Sequence, residues 1–159
     1  MRVLIAGIWI LLTASAFAVE WKDADDAVAK TRNVVVESKD GLFTFSCNQN
    51  GSTKVAEYFL DVYKSGQCAD NTTVTLSIDG KKKSSQFECL SRDSGGVLLL
   101  LTASTNEQAS NDIADITDRI QRSKSGVMLI TTSLTKRAIN FSLEGAKAKL
   151  ERILKLCPQ

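Results

Sequence analysis

The sequence predicts a single α+β domain, in which an antiparallel sheet of about six to eight strands packs with two helices. Three observations support this prediction. Several short segments alternate apolar and polar residues with a period of two, which is typical of strands with one buried face. Two later segments place apolar residues three and four positions apart, which is typical of amphipathic helices. The order along the chain is several strands, one helix, two strands and a last helix, and this order favours an α+β domain with an antiparallel sheet.

The clearest strand signal is a hairpin near the middle of the chain. Residues 74–78 alternate cleanly, and residues 79–80 are Asp-Gly, a pair suited to a tight turn. Residues 82–90 then return with Phe87 and Cys89 on a shared face. Further strands are predicted at residues 34–36, 43–47, 55–63, 97–101, 127–132 and 138–141.

The first helix is predicted between Asn106 and Ser123. Its residues Ile113, Ile116 and Ile120 fall three and four positions apart, so they form one apolar stripe. We expect this stripe to face the sheet.

The second helix is predicted to begin near Ser142, a favourable N-cap residue, and to end at Pro158. Its apolar residues at helical spacing are Leu143, Ala146, Leu150, Ile153, Leu154 and Cys157. The two helices would cover residues 97–101, which are apolar on both faces, as in a central strand that is covered on both sides.

The first 18 residues are typical of a cleavable signal peptide. An apolar run at residues 3–12 is followed by a segment that ends in a small-x-small pattern at Ala18. A membrane-spanning helix needs about 20 apolar residues, so this run is too short to remain as an anchor. We therefore expect residues 19–159 to form one exported domain, periplasmic or secreted, with no stable membrane insertion.

The four cysteines indicate two disulfides, because their number is even and an exported protein meets an oxidising compartment. Their spacing lacks the close Cys-x-x-Cys pairs of zinc sites and redox motifs. Three pairings are possible, and we favour Cys47 with Cys157 and Cys68 with Cys89. Cys47 faces inward beside two phenylalanines and Cys157 lies on the apolar stripe of the last helix, so this bridge would pin the helix to the sheet.

The charge balance argues against nucleic-acid binding. The chain has 20 basic and 18 acidic residues, and such binding draws its affinity from many cationic contacts. The one basic cluster is at residues 81–83. Because it follows a tight turn, we interpret it as the solvated edge of a strand that discourages edge-to-edge pairing, with docking of a partner as the alternative.

The chain contains no histidine, which excludes the usual Ser-His and Cys-His nucleophile systems and histidine-based zinc sites. No phosphate-binding glycine loop and no EF-hand pattern is present, so we expect no cofactor and no metal. A carboxylate-pair enzyme is the remaining catalytic alternative. Its candidate groups are Asp23, Asp25, Asp26, Asp112, Asp115 and Asp118. We interpret these acids as solvated residues, and those near the start of a helix as favoured by its dipole.

Three Asn-x-Ser/Thr triplets, at Asn50, Asn71 and Asn140, would matter only in a eukaryotic host. Asn50 and Asn71 fall in predicted loops and could accept a glycan. Asn140 falls within a predicted strand and would not.

Five short motifs give the chain a resemblance to a known group of proteins. They are Trp21 with Asp25 and Asp26 close behind, Val34-Val35-Val36, Phe45-Ser46-Cys47, Ile78-Asp79-Gly80, and Phe141-Ser142-Leu143-x-Gly145-Ala146 before a helix that ends in Cys157. This layout resembles the small periplasmic proteins associated with bacterial type VI secretion, and related proteobacterial periplasmic proteins of unassigned role. The resemblance implies a non-catalytic accessory or interaction module, and it transfers no functional residue to this chain.

The favoured function is therefore a non-catalytic binding or accessory module of the periplasm or cell envelope, with another envelope or secreted protein as its partner. Trp21, Tyr58 and Tyr63 are the candidate contacts, because aromatic residues supply much of the energy of interfaces. The alternative is that all three are core or ordinary surface residues.

Two other functions remain open. An inhibitor or immunity-type protein acting on a secreted hydrolase would need a protruding loop, for which residues 51–54 and 92–96 are the candidates. A histidine-free carboxylate enzyme would need a cleft in which two carboxylates face each other, and we expect that the protein is not an enzyme.

Overall fold

One curved antiparallel sheet forms the body of the protein. The computed structural model describes residues 20–26, 31–50, 53–63, 68, 70–92, 95–104, 106–135 and 137–156. The predicted signal peptide, residues 1–18, lies outside these ranges, as does Cys157. The elements in chain order are β1 (Lys22–Asp23), β2 (Arg32–Ser38), β3 (Gly41–Asn50), β4 (Thr53–Val62), β5 (Asn71–Ile78), β6 (Lys81–Ser91), β7 (Val97–Thr102), α1 (Glu107–Arg122), β8 (Val127–Thr132), β9 (Ile139–Ser142) and α2 (Ala146–Leu156).

The strand order in the sheet is β1-β2-β3-β4-β7-β6-β5-β8-β9. The β5–β6 hairpin is inserted so that β6 pairs with β7, and β7 in turn pairs with β4. Every pair of neighbouring strands in this order is antiparallel. The α+β class and the antiparallel sheet are therefore as predicted. The nine strands of the described chain exceed the expected six to eight, in part because the two-residue strand β1 is too short to show a sequence pattern.

The sheet curls into a half-barrel, so that its first and last strands approach each other. The indole N–H of Trp21, which precedes β1, donates to the Ser142 carbonyl of β9 at 2.8 Å. On the inner face, the rings of Phe43 and Phe141 lie 5.8 Å apart between centroids. Contacts between β2 and β9 complete this seam. The core fills the concave side, where α1 and α2 also pack.

Helix α1 begins and ends where the sequence predicts. The Asn106 side chain accepts a hydrogen bond from the Ala109 backbone N–H at 2.8 Å, which caps the first turn. The predicted stripe of Ile113, Ile116 and Ile120 is buried against the sheet. The periodicity and the cap residue therefore determine this helix together.

Helix α2 begins at Ala146, four residues after the predicted N-cap. Ser142 ends β9 instead, and its hydroxyl accepts a hydrogen bond from the Glu144 N–H at 3.1 Å. Gly145 then adopts a φ of 75°, in the left-handed region. A right-handed helix cannot contain that conformation, so a tight turn separates the strand from the helix.

Strand β7 is the central strand of the sheet, as expected for its apolar sequence. Its inner face, with Val97, Leu99 and Leu101, is buried under the core and contacts α1. Leu98 and Leu100 on the other face are only half-buried. The expectation of cover on both sides was therefore wrong, because both helices pack on the concave face.

Residues 81–83 lie at a solvated edge position, as interpreted from the sequence. Strand β6 lies between β5 and β7 in the sheet order, but among the described strands residues 81–83 pair only with β5, because the pairing with β7 is confined to residues 88–91. Lys81 and Lys82 are exposed, whereas Lys83 is half-buried. The Lys83 ammonium lies 2.8 Å from a carboxylate oxygen of Asp112, so it joins the sheet to α1. The strands at the ends of the sheet are β1 and β9, of two and four residues, and such short edge strands offer little backbone for pairing with another chain.

The structure pairs Cys68 with Cys89 in a disulfide, as predicted. Cys47 is also disulfide-bonded. Its expected partner, Cys157, lies outside the described residues.

The asparagines of the three glycosylation triplets lie on strands. Asn50 is the last residue of β3 and Asn71 the first of β5, so neither lies in the loop that the sequence predicted. Asn140 is within β9, as expected, and is exposed. Within the described ranges, no helix is long and apolar enough to cross a membrane.

Candidate binding groove on the outer face of the sheet

The outer face of strands β2, β3, β4 and β7 is built by side chains that alternate with those of the core. The register places them in rows across the strands. One row joins Ser46, Glu57 and Thr102, and the next joins Thr44, Phe59 and Leu100; a third joins Leu42, Asp61 and Leu98. The outer face of these four strands therefore changes from a polar row at Glu57 to a mainly apolar row at Phe59 and a mixed row at Asp61.

A groove of about 350 Å³ follows this surface. Glu57 and Asp61 lie towards opposite ends of it on β4, with Phe59 between them, and Leu42 and Leu98 flank Asp61 on the neighbouring strands. Because a strand rises about 3.3 Å per residue, these two carboxylates are separated by roughly 13 Å along β4. Small-molecule and peptide sites commonly combine an apolar surface with a few polar groups. We name this surface the outer groove.

Glu57 is the half-buried acid of the outer groove. Burial raises the pKa of its carboxyl, and a hydrogen bond from the Thr102 hydroxyl offsets part of that rise. Among the residues that the structure describes, no Lys or Arg forms an ion pair with Glu57. Within the described ranges its partly desolvated charge therefore has no counterion.

Asp61, by contrast, is neutralised by a neighbour. The Arg92 guanidinium lies 3.0 Å from its carboxylate. Arg92 is held in the β6–β7 turn, where its backbone N–H donates to the Gly96 carbonyl at 2.9 Å and its carbonyl accepts from Gly95 at 3.1 Å. The outer groove therefore has one compensated and one uncompensated carboxylate.

The N-terminal aspartates form a structural clamp. Lys149 lies 2.9 Å and Arg152 2.8 Å from the carboxylate of Asp23, while Arg152 also contacts Asp25 at 3.3 Å. The hydrogen bond from Lys149 is the main cause of the lowered pKa of Asp23. Burial alone would raise the pKa of Asp25, but the hydrogen bonds from Arg152 and neighbouring groups outweigh the effect of burial and lower it. We call Asp23, Asp25, Lys149 and Arg152 the N-terminal clamp, because it joins the first strand to α2.

The three aspartates of α1 are paired as well. Asp112 is buried beside Lys83 and also accepts from the Gln108 amide at 2.7 Å. Burial would raise the pKa of Asp112, but the hydrogen bond from Lys83 and the other donors leaves it lowered. Asp115 and Asp118 pair with arginines one turn later on the helix. The prediction that these acids are simply solvated was wrong for Asp112, which bridges helix and sheet.

A second groove, of about 510 Å³, lies between α1 and the β5–β6 turn. Asp79 at its end accepts from the backbone N–H groups of Lys124 and Ser125, at 2.9 and 2.7 Å. These bonds, with those from the Ser125 and Ser123 hydroxyls, lower the pKa of Asp79 to about 2. The carboxylates that line this groove are all engaged by cations or by backbone N–H groups, so none of them offers a ligand a negative charge comparable to that of Glu57.

Two of the three aromatic residues expected to contact a partner are buried within the chain. Trp21 is 1% exposed and Tyr58 is fully buried. The Tyr58 hydroxyl lies 2.8 Å from that of Thr117 on α1, so its polar atom is satisfied internally. Tyr63 is 37% exposed, and its hydroxyl donates to Glu37 at 3.3 Å. Of the three, only Tyr63 is accessible to a partner.

The outer groove is not predicted by the sequence pattern as a whole. The alternation of Glu57, Phe59 and Asp61 within β4 is visible in the sequence, and it places the three side chains on one face. The pattern does not show that β4 pairs with β7. This pairing places Leu98 beside Asp61, although the two residues are 37 positions apart in the sequence.

A scan against protein-family models found no match to this chain, and comparisons with curated proteins and with solved structures found none either. In the described part of the chain, no group of three or more potential metal ligands comes together. Inferences about function therefore depend on the geometry of the outer groove.

Proposed function

We propose that the protein is a non-catalytic binding module of the periplasm or cell envelope, and that it binds another envelope or secreted protein through the outer groove. The observation that supports this proposal best is Glu57, a half-buried carboxylate that lies beside an apolar surface and has no counterion among the residues that the structure describes. Charged groups that lose water without gaining a partner reduce stability, so a partner that completes the pair would recover that loss.

The apolar part of the outer groove supports the same proposal. Phe59, Leu98 and Leu100 lie on neighbouring strands and remain half-buried, with no described helix above them. Contiguous apolar surface of this kind, bordered by polar groups, is typical of interaction sites. The disulfide between Cys68 and Cys89 is compatible with an exported protein.

The test is an affinity capture from periplasmic extract of the host, with identification of the bound protein by mass spectrometry. Thr44→Arg places a long cationic side chain beside Phe59 in the outer groove. Thr131→Arg makes the same change on the exposed face of β8, outside the outer groove, and is the matched control.

We expect one identified partner to be retained by the native protein and by Thr131→Arg, and to be lost with Thr44→Arg. Equal capture by all three proteins would contradict a role for the outer groove. Capture of no protein by folded, fully oxidised native protein would contradict the proposed function itself.

A further inference from the structure

The charge pattern of the outer groove indicates what kind of group occupies it. Its two carboxylates differ, because Asp61 is paired with Arg92 at 3.0 Å and Glu57 has no cation among the described residues. The groove thus presents one unpaired negative charge at a defined place. A ligand group that complements this charge has to be a cation.

The surroundings of Glu57 suit a cation on an apolar stem. Thr102 donates to the carboxylate from one side, and buried Ser46 lies opposite Glu57 on β3. Phe59 follows two residues later on the same face of β4, about 7 Å along the strand. Lysine and arginine side chains extend over distances of this order, with the stem against apolar surface and the charged end at a polar site. An aromatic ring beside the stem also favours the cation.

We propose that the outer groove binds one lysine or arginine side chain of the partner protein, with the charged end at Glu57 and the stem across Phe59. This inference rests on the proposed function and adds the chemistry of the contact. A side chain presented by a protein fits the site better than a free amine does. The groove lies on the open face of a sheet, where a small amine would keep much of its contact with water.

The test is a titration of isotope-labelled protein followed by ¹H–¹⁵N NMR. The probes are n-butylammonium and n-propylguanidinium, which reproduce the ends of lysine and arginine, and n-butanol is the neutral control. We expect both cations to shift the amide signals of Glu57, Phe59 and Thr102, with saturation at concentrations on the order of millimolar, as for fragments of this size. n-Butanol should cause smaller shifts that do not saturate in the same range.

Two variants separate a specific charge from general acidity. Glu57→Gln should weaken binding of both cations about fivefold, the scale of one partly exposed ion pair. Glu88→Gln removes an exposed carboxylate from the same face of the sheet, on β6, and should leave binding unchanged. Equal binding to the two variants, or equal binding of n-butanol and n-butylammonium, would overturn the inference.

The outcomes also distinguish this inference from the proposed function. If Thr44→Arg abolishes capture of the partner while Glu57→Gln captures it as well as the native protein does, the outer groove is the docking site but does not select a basic side chain. The proposed function would then stand, and the inference would be rejected. Loss of capture in both variants, together with the NMR result expected above, would support both.

Discussion

A buried hydrogen-bonded chain between β4 and α1 allows a quantitative test of the core. The Thr117 hydroxyl donates to the Ile113 carbonyl at 2.7 Å, and the Tyr58 hydroxyl lies 2.8 Å from the Thr117 oxygen. Thr117 has one hydroxyl hydrogen, which is used in the bond to Ile113. Tyr58 must therefore donate to Thr117. Burial raises the pKa of Tyr58, so its donor hydrogen is retained at all ordinary pH values.

This direction makes the two single substitutions unequal. Thr117→Val removes the acceptor and leaves the fully buried Tyr58 hydroxyl without a partner, which destabilises the fold by about 1–3 kcal/mol. Tyr58→Phe removes the donor, but Thr117 keeps its bond to Ile113, so the expected loss is about 0.5–1.5 kcal/mol. In the double variant no buried donor is left unsatisfied. Its loss should fall about 1 kcal/mol short of the sum of the single losses.

The assay is urea unfolding of the oxidised protein followed by far-UV circular dichroism. The free energy of unfolding of the native protein, both single variants and the double variant completes a double-mutant cycle. A Tyr58→Phe variant that is less stable than Thr117→Val would refute the assigned direction of the hydrogen bond. Additive losses, within about 0.3 kcal/mol, would refute the coupling between the two hydroxyls.

Three further predictions concern charges and close packing. Asp112→Ala removes the nearer of the two carboxylates beside Lys83 and leaves Asp115 at 3.8 Å, so it should lower the free energy of unfolding by about 2–3 kcal/mol, less than the loss of a fully buried pair. Adding a Lys83→Met substitution should restore part of the loss, and a further loss would contradict the pairing. The aspartates of the N-terminal clamp have pKa values below 3.8, so their contribution is complete above that pH and is lost as the pH falls through their lower folded values. Arg152→Met should therefore flatten the loss of stability in acid, and parallel curves for variant and native protein would argue against the clamp. Gly41→Ala should lower the free energy of unfolding by about 1–3 kcal/mol, because the added Cβ would lie 2.5 Å from the Asp61 carbonyl oxygen. The urea midpoint should therefore fall. An unchanged midpoint would show that β3 and β4 can move apart at this position without cost.

Local patterns were sufficient to predict most elements of this fold. The isoleucine stripe and the residues at both ends determine α1, and alternation with an Asp-Gly turn determines the β5–β6 hairpin. Local patterns gave a wrong helix start where the preference of one residue competed with a turn. Ser142 is a good N-cap residue, but the left-handed backbone of Gly145 delays α2 until Ala146.

Features that depend on strand order could not be predicted in the same way. The position of Lys83 beside α1 requires the β5–β6 hairpin to pair with β7 through the far end of β6, and the outer groove requires β7 to return against β4. Neither pairing leaves a signal in the residues near it, since alternation shows which side chains share a face but not which strand lies alongside. The contact between Trp21 and Ser142 could not be predicted for the same reason, since the residues around Trp21 give no indication of which strand it meets.

The seam between the two ends of the sheet has a consequence for the order in which the molecule is completed. Trp21 and Ser142 are separated by 121 positions in the sequence, so their hydrogen bond cannot form until both segments have been synthesised. Contacts between such distant parts form late and slow the folding of a domain. A chain of this design keeps the two ends of its sheet apart until β9 has formed, so the seam is the last part of the half-barrel to be completed.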